Sequence, residues 1–212
     1  EVMRSLTEGD RGGRVWRPGE TDTSIRPGWF WHADQDDKVR SVNDLVDLYF
    51  TSVGRNSKLL LNVPPTSAGL LHDVDVARLV AMRRRLDEVF ASPVRGRADT
   101  SEVGSDSATF TRRLDAAATL SVIDLREDIT QGQRVGRHAV KLLIEGEWRT
   151  VAEGTTIGYR RLHRIEPVSA SAIRATGAAT HKSRITFVNA DSSQAANHSP
   201  AFSVIAVCDN RH

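Results

Sequence analysis

Ser41-Val42-Asn43-Asp44-Leu45-Val46-Asp47-Leu48-Tyr49-Phe50 passes through Gly54-Arg55-Asn56 into Leu59-Leu60-Leu61-Asn62-Val63-Pro64-Pro65. Ser41 is a good helix N-cap with Asp44 three residues on, and Val42, Leu45, Val46, Leu48 and Tyr49 form one apolar face at helical spacing. Gly54-Arg55-Asn56 stops the helix. The run from Leu59 to Val63 is continuously apolar apart from Asn62 and ends at two prolines, which suits a parallel strand buried on both faces. Toward the C-terminus, Asp73 is expected to cap a second helix reaching Phe90. Its inward residues would be Val76, Leu79, Val80, Leu86 and Val89, with Arg83-Arg84-Arg85 outward. Toward the N-terminus, a brief strand is expected near residues 20–25. Pro27-Gly28 then turns the chain into Trp29-Phe30-Trp31-His32, and residues 33–40 read as a charged, mobile connection. The first thirteen residues, polar and rich in Gly and Arg, read as loop. Strand, helix, buried strand, helix is an α/β repeat.

The second half differs. From residue 91 to 107 the composition shifts to Ser, Asp, Gly and Arg, which predicts a linker. Beyond it, short β-type stretches recur near residues 118–124, 137–144, 148–152, 160–165 and 172–176, separated by Gly and acidic turns. That pattern predicts an antiparallel β-sandwich. Residues beyond 189 read as loop, with a last strand near 204–207. The expected division is an α/β part over 1–93, a linker over 94–107, a sandwich over 108–190 and an unassigned tail over 191–212.

Composition excludes several classes. A net charge of +2, with Lys and Arg dispersed among Asp and Glu, gives no phosphate-binding stripe, so nucleic acid is not an expected partner. No apolar run approaches the roughly 20 residues that cross a bilayer, so no membrane is expected either. The single cysteine, Cys208, permits neither an intrachain disulfide nor a cysteine-based zinc site. His32-Ala33-Asp34-Gln35-Asp36-Asp37 lacks the glycine and distal glutamate of a calcium loop and reads as a solvated acidic segment. No metal and no cofactor are expected.

Three segments carry a family resemblance. Trp16-Arg17-Pro18-Gly19-Glu20-Thr21-Asp22-Thr23-Ser24-Ile25-Arg26-Pro27-Gly28-Trp29-Phe30-Trp31-His32 is the first. Ser52-Val53-Gly54-Arg55-Asn56 running on to Pro65 is the second. The third comprises Glu127-Asp128-Ile129, Gly132-Gln133-Arg134-Val135, Trp148 to Glu153, and Gly154-Thr155-Thr156-Ile157-Gly158-Tyr159. Together they resemble the retaining α-L-fucosidases of glycoside hydrolase family 29, in the branch acting on α-1,3/1,4-linked fucose. The resemblance implies the C-terminal part of a (β/α)8-like barrel over residues 1–93, followed by a galactose-binding-like β-sandwich. The implied partner is a fucosylated oligosaccharide or glycoconjugate, and the family needs no metal.

Retaining glycosidases use two carboxyl groups about 5–5.5 Å apart. By the resemblance, the nucleophilic Asp and the acid/base Glu both precede the Trp16 segment. The chain is therefore expected to be a fragment, inactive alone, whose full-length parent hydrolyses terminal α-L-fucose. A periplasmic or extracellular location is favoured for that parent. Glu20 and Asp22 are set aside as a catalytic pair on the expectation that their side chains leave the strand on opposite faces. The implied substrate contacts are Trp29, against the apolar face and methyl group of fucose, then Trp31, Glu20 and His32. Glu20 is expected either to meet a sugar hydroxyl or to pair with a barrel arginine. Arg26 and Arg55 are expected in ion pairs that fix loops, and Asn62 in tying its strand end to a neighbour. A non-catalytic carbohydrate-binding module is the alternative reading.

Overall fold

In a computed structural model, the described residues are 17–103, 107–127, 129–130, 132–179 and 203–208. The chain divides into two compact units, residues 18–91 and, among the described residues, Arg17 with those from 92 onward. The first unit runs β1 (Gly19–Ser24), a 3-10 turn (Ala33–Lys38), α1 (Val42–Thr51), β2 (Ser57–Asn62) and α2 (Asp73–Phe90). β1 and β2 pair in parallel from Gly19↔Ser57 to Ser24↔Asn62. Both strands therefore end together, at Ser24 and Asn62.

α1 begins as its sequence dictates. The Ser41 hydroxyl accepts from the Asp44 N–H at 3.1 Å, while the Asp44 carboxylate accepts from the Ser41 N–H at 3.1 Å. This reciprocal box satisfies two backbone donors that the first turn would otherwise leave open. Leu45, Val46 and Phe50 are buried, and Phe50 stacks on Phe90 of α2 with centroids 6.2 Å apart. Asn56, with φ +67°, turns the chain from α1 into β2, a conformation asparagine tolerates.

Three expectations for this unit need correction. The cap of α2 is His72, whose Nδ1 accepts from the Val74 N–H at 3.4 Å; Asp73 is the first helical residue. β2 is not buried on both faces: Leu60 is 46% exposed, and Val76 and Val80 of α2 stand 40% and 53% exposed instead of facing inward. The physical reason is shared. Among the described residues β1 is the sole partner of β2 in its sheet, so nothing covers the far side of the pair. Residues 33–40, finally, are not a loose connection but contain the 3-10 turn.

The second unit is one continuous antiparallel sheet of β3 (Gly96–Val103), β4 (Ser107–Arg126), β5 (Val135–Ile144), β6 (Glu147–Gly154), β7 (Arg161–Ala179) and β8 (Ser203–Cys208). The order is β3-β4-β7-β5-β6. β3 lies along Ala108 to Leu114 of β4, and β8 along Leu120 to Arg126 on the same strand. Residues 94–107, expected as a linker, thus contain an edge strand. One edge of β3 has no neighbour in this sheet order, which accounts for its polar, linker-like composition. The two stretches expected at 160–165 and 172–176 are halves of β7. Its pairing with β4 skips at Leu120/Val122, where Pro167 sits between paired residues and its missing N–H breaks no ladder bond. Residues 204–207 do form a strand, while 180–202 of the expected sandwich end and tail lie outside the described residues. One apolar cluster gathers Ala108 and Phe110 from the start of β4 with Leu120, Ile123 and Leu125 from its end, together with Val140, Leu142, Ile157 and Ile173. Each of the larger side chains contributes roughly 1.5–3 kcal/mol by leaving water, and the Ala108 methyl less.

Candidate functional site

Residues 25–32 leave the C-terminal end of β1 and carry three of the four expected substrate contacts. Arg26 builds the floor of this loop. Its side chain is fully buried, with Nε donating to Asp75 Oδ2 at 2.9 Å, Nη2 to Asp36 Oδ1 at 2.8 Å and Nη1 to the His32 carbonyl at 3.4 Å. Asp75 is equally buried and comes from the first turns of α2, so the strand end, the 3-10 turn and the helix are pinned by one guanidinium. His72 extends the network. Its Nδ1 accepts from Val74, which leaves the proton of a neutral ring on Nε2, 3.4 Å from Asp36 Oδ2.

The other side of the loop is held by Asn62, at the end of β2. Its Nδ2 donates to Ser24 Oγ at 3.0 Å and to the Trp29 carbonyl at 3.1 Å, while its own carbonyl accepts from the Ile25 N–H. Trp29 is therefore fixed through its backbone while the residue as a whole stands 53% exposed. Trp31 turns inward, 5.9 Å from the His72 ring. Its Nε1–H is buried with no acceptor among the described residues, and Asp75 Oδ1 is likewise buried without a donor. His32 is exposed and contributes its carbonyl, to Arg26 and to the Gln35 N–H.

Sequence reasoning found Arg26 and Asn62 in the roles the structure gives them. It missed Asp75 and His72, and it misread Asp36, which is an ion-pair partner of Arg26 and not merely solvated. No spacing within α2 singles out Asp75 or His72, because each meets its partner on a distant segment, Asp75 on Arg26 and His72 on Asp36. Arg55 makes no ion pair among the described residues. Glu20 is not brought to the loop: it is the second residue of β1, at the opposite end of the strand. The expectation that Glu20 and Asp22 face opposite ways also fails. Side chains on a strand repeat every second residue, so the two share a face, and both are exposed while Thr21 and Thr23 are half-buried.

Elsewhere, Glu127 accepts backbone N–H bonds from Arg134, Val135 and Gly158. Burial pushes its carboxyl above the usual range, against the pull of those three donors. His138, in β5, is buried between the Thr155 carbonyl at 2.9 Å and His163 Nε2 at 2.8 Å. Burial lowers its pKa, with the nearby Arg161 charge acting in the same direction and the Thr155 bond opposing. No group of three metal-ligating side chains occurs among the described residues, and none of the described helices is long and apolar enough to cross a membrane.

The sequence model of the α-L-fucosidase family matches residues 6–88. A putative alpha-L-fucosidase 1 of Oryza sativa subsp. japonica is 38% identical over 183 residues, 73% of this chain and 35% of that protein. Alpha-L-fucosidase 1 of Arabidopsis thaliana is 34% identical over 187 residues, 74% of this chain and 37% of its own length. Among solved structures, a putative alpha-L-fucosidase from Bacteroides thetaiotaomicron superposes with a TM-score of 0.77 at 27% identity, covering 97% of this chain and 44% of that one. A Ruminococcus gnavus GH29 fucosidase in complex with fucose gives 0.75 at 25% identity, over 94% of this chain and 43% of its own. The chain thus spans little more than a third of the length of the curated relatives it matches, and within that span it belongs to the α-L-fucosidase family.

Proposed function

We propose that this chain is the closing part of the catalytic barrel and the adjoining β-sandwich of a retaining exo-α-L-fucosidase, whose parent removes terminal α-L-fucose from glycans. The observation that carries the reading is Trp29: a half-exposed tryptophan on a loop clamped from two sides, by Asn62 and by the buried Arg26, at the C-terminal end of parallel strands. Ligand contacts gather at that end of strands in barrels of this kind. An indole covers the C–H face and methyl group of a deoxy sugar while leaving its hydroxyls to polar partners. Trp31 and His32 flank the same loop and line the neighbouring subsite. Glu20, far from the loop, takes the structural alternative of pairing with a barrel arginine.

In this reading the nucleophilic Asp and the acid/base Glu are supplied by upstream sequence. The nucleophile attacks the anomeric carbon as the acid protonates the departing oxygen; water then releases fucose with retention. The residues of this chain orient the sugar and exclude water from one face of it. The uncovered Leu60, Val76 and Val80, the open edge of β2, and the orphaned Trp31 Nε1 and Asp75 Oδ1 all support a unit that is completed by further strands and helices. A fucose complex of a similar protein supports the substrate class.

The test is hydrolysis of p-nitrophenyl- and 2-chloro-4-nitrophenyl-fucoside and a fucosylated trisaccharide, by this chain and by one extended upstream. Fucose release by the extended chain alone supports the reading. Turnover by the 212-residue chain, lost on Glu20→Gln, would place the chemistry in this segment and overturn it.

A further inference from the structure

The outward face of the second unit carries a cavity of about 300 Å³ lined by Glu102, Thr109, Thr111, Lys141, Arg174 and Thr176. Strand register assembles it in two cross-strand rows. Glu102, Thr109 and Thr176 lie opposite one another on β3, β4 and β7; Thr111, Arg174 and Lys141 do so on β4, β7 and β5. The residues between them, Phe110, Ala175, Val140 and Leu142, point into the core. Alternation therefore fixes the six polar side chains on one face.

Arg174 is held in advance of any ligand. Its Nε donates to Thr111 Oγ1 at 3.2 Å, and its guanidinium carbon lies 4.0 Å from the ring centroid of Trp148. Its Nη1 and Nη2 have no partner among the described residues, and Lys141 has neither a hydrogen bond nor an ion pair there. A guanidinium whose rotamer is already fixed, with two nitrogens uncommitted, suits bidentate capture of a carboxylate or sulfate. Glu102 sits at the other end. With strands about 4.8 Å apart, β3 and β5 are roughly 14 Å from each other across the sheet. The cavity is thus cationic at one end and offers a carboxylate and two threonine hydroxyls at the other, an arrangement that favours hydroxyl donors there and repels a second anion.

We propose that this cleft binds one ring of an acidic sugar, with its carboxylate or sulfate on Arg174 and Lys141 and its hydroxyls toward Thr109, Thr176 and Glu102. The volume is at the small end of ligand pockets, the scale of a single ring. The oxyanion is inferred from the cleft itself; that a sugar carries it rests on the fucosidase reading.

The experiment is titration of the 212-residue chain with glucose 6-sulfate, glucuronate, glucose and sodium sulfate, followed by amide chemical shifts and by calorimetry. Both acidic sugars should bind, shifting amides of β4, β5 and β7, and glucose should not. Arg174→Gln should weaken them about tenfold or more. Lys141→Ala, which removes no hydrogen bond or ion pair among the described residues, should weaken them less and flatten the salt dependence. Glucose binding as well as glucose 6-sulfate, sodium sulfate binding as well as either sugar, or no binding by the acidic sugars would each overturn the proposal. If Arg174→Gln lowers the melting temperature, Lys141→Ala decides, and unchanged affinity in it counts against the site. Fucoside hydrolysis by the extended chain is measured separately, so either reading can fail while the other stands.

Discussion

Replacing Arg26 by Met should remove a large part of the stability of the first unit. Arg26 and Asp75 are both fully buried, and Arg26 Nε supplies the only donor to the Asp75 carboxylate among the described residues. Losing the guanidinium leaves a carboxylate in the interior with both oxygens bare, a change that costs about 3–5 kcal/mol. At roughly 0.05–0.15 kcal/mol per residue, a unit covering residues 18–91 holds only about 4–11 kcal/mol. The half-exposed Asp36 regains water and keeps His72, so Asp36→Asn should cost less than about 1 kcal/mol. Arg26→Met combined with Asp75→Leu removes both charges and should recover most of the loss. Urea unfolding followed by the helical circular-dichroism band reads this unit, because the helices among the described residues all lie in it. A loss under 1 kcal/mol for Arg26→Met, or a double variant as costly as the sum of its singles, would show that the pair is not the clamp described.

In the upstream-extended chain, Trp29→Ala should cut kcat/KM for an aryl fucoside by about tenfold or more while leaving the melting temperature unchanged, since the residue is already half in water. Asn62→Ala strips the donor from Ser24 and from the Trp29 carbonyl; chemical denaturation should show a loss of about 1–3 kcal/mol and kinetics a raised KM. Gly154→Ala would place a Cβ 2.6 Å from His138 Cε1, so calorimetry should find the second unit destabilised by about 1–3 kcal/mol. For His138, the Thr155 carbonyl holds the proton on Nδ1, so Nε2 accepts from His163. Its folded pKa lies below the unfolded value of about 6.5. The unfolded chain then binds the extra proton first, and the contribution present above that value is lost as pH falls below it. The melting temperature of the second unit should drop between neutral and mildly acidic pH, and the drop should shrink in His138→Gln.

What the sequence disclosed and what it withheld divide by the range of the interaction. The Ser41–Asp44 box, the stop at Asn56 and the alternation of β5 are settled within a few residues, and each was readable. Arg26 and Asn62 were readable as anchors because a buried arginine and a strand-end amide need partners whatever those partners are. Asp75 and His72 were not, because Asp75 answers Arg26 and His72 answers Asp36, both on a segment far earlier in the chain, and no spacing within α2 announces either. Leu60, Val76 and Val80 invert the case. Their pattern asks for burial that the described residues do not supply, and a period-2 or period-3.6 apolar face is a statement about the whole surface that selection acted on. β3 shows the converse: a strand paired along one edge has little apolar periodicity to display, so composition reads it as linker. The separation of Glu20 from the loop has a different origin. Motif membership grouped it with Trp29, whereas six residues of extended chain separate the two ends of β1 by roughly 17 Å. A motif is contiguous in sequence, but along a strand contiguity is distance, so the two ends of this one belong to opposite ends of the unit, and the proposed sugar contact rests on the Trp29 end alone.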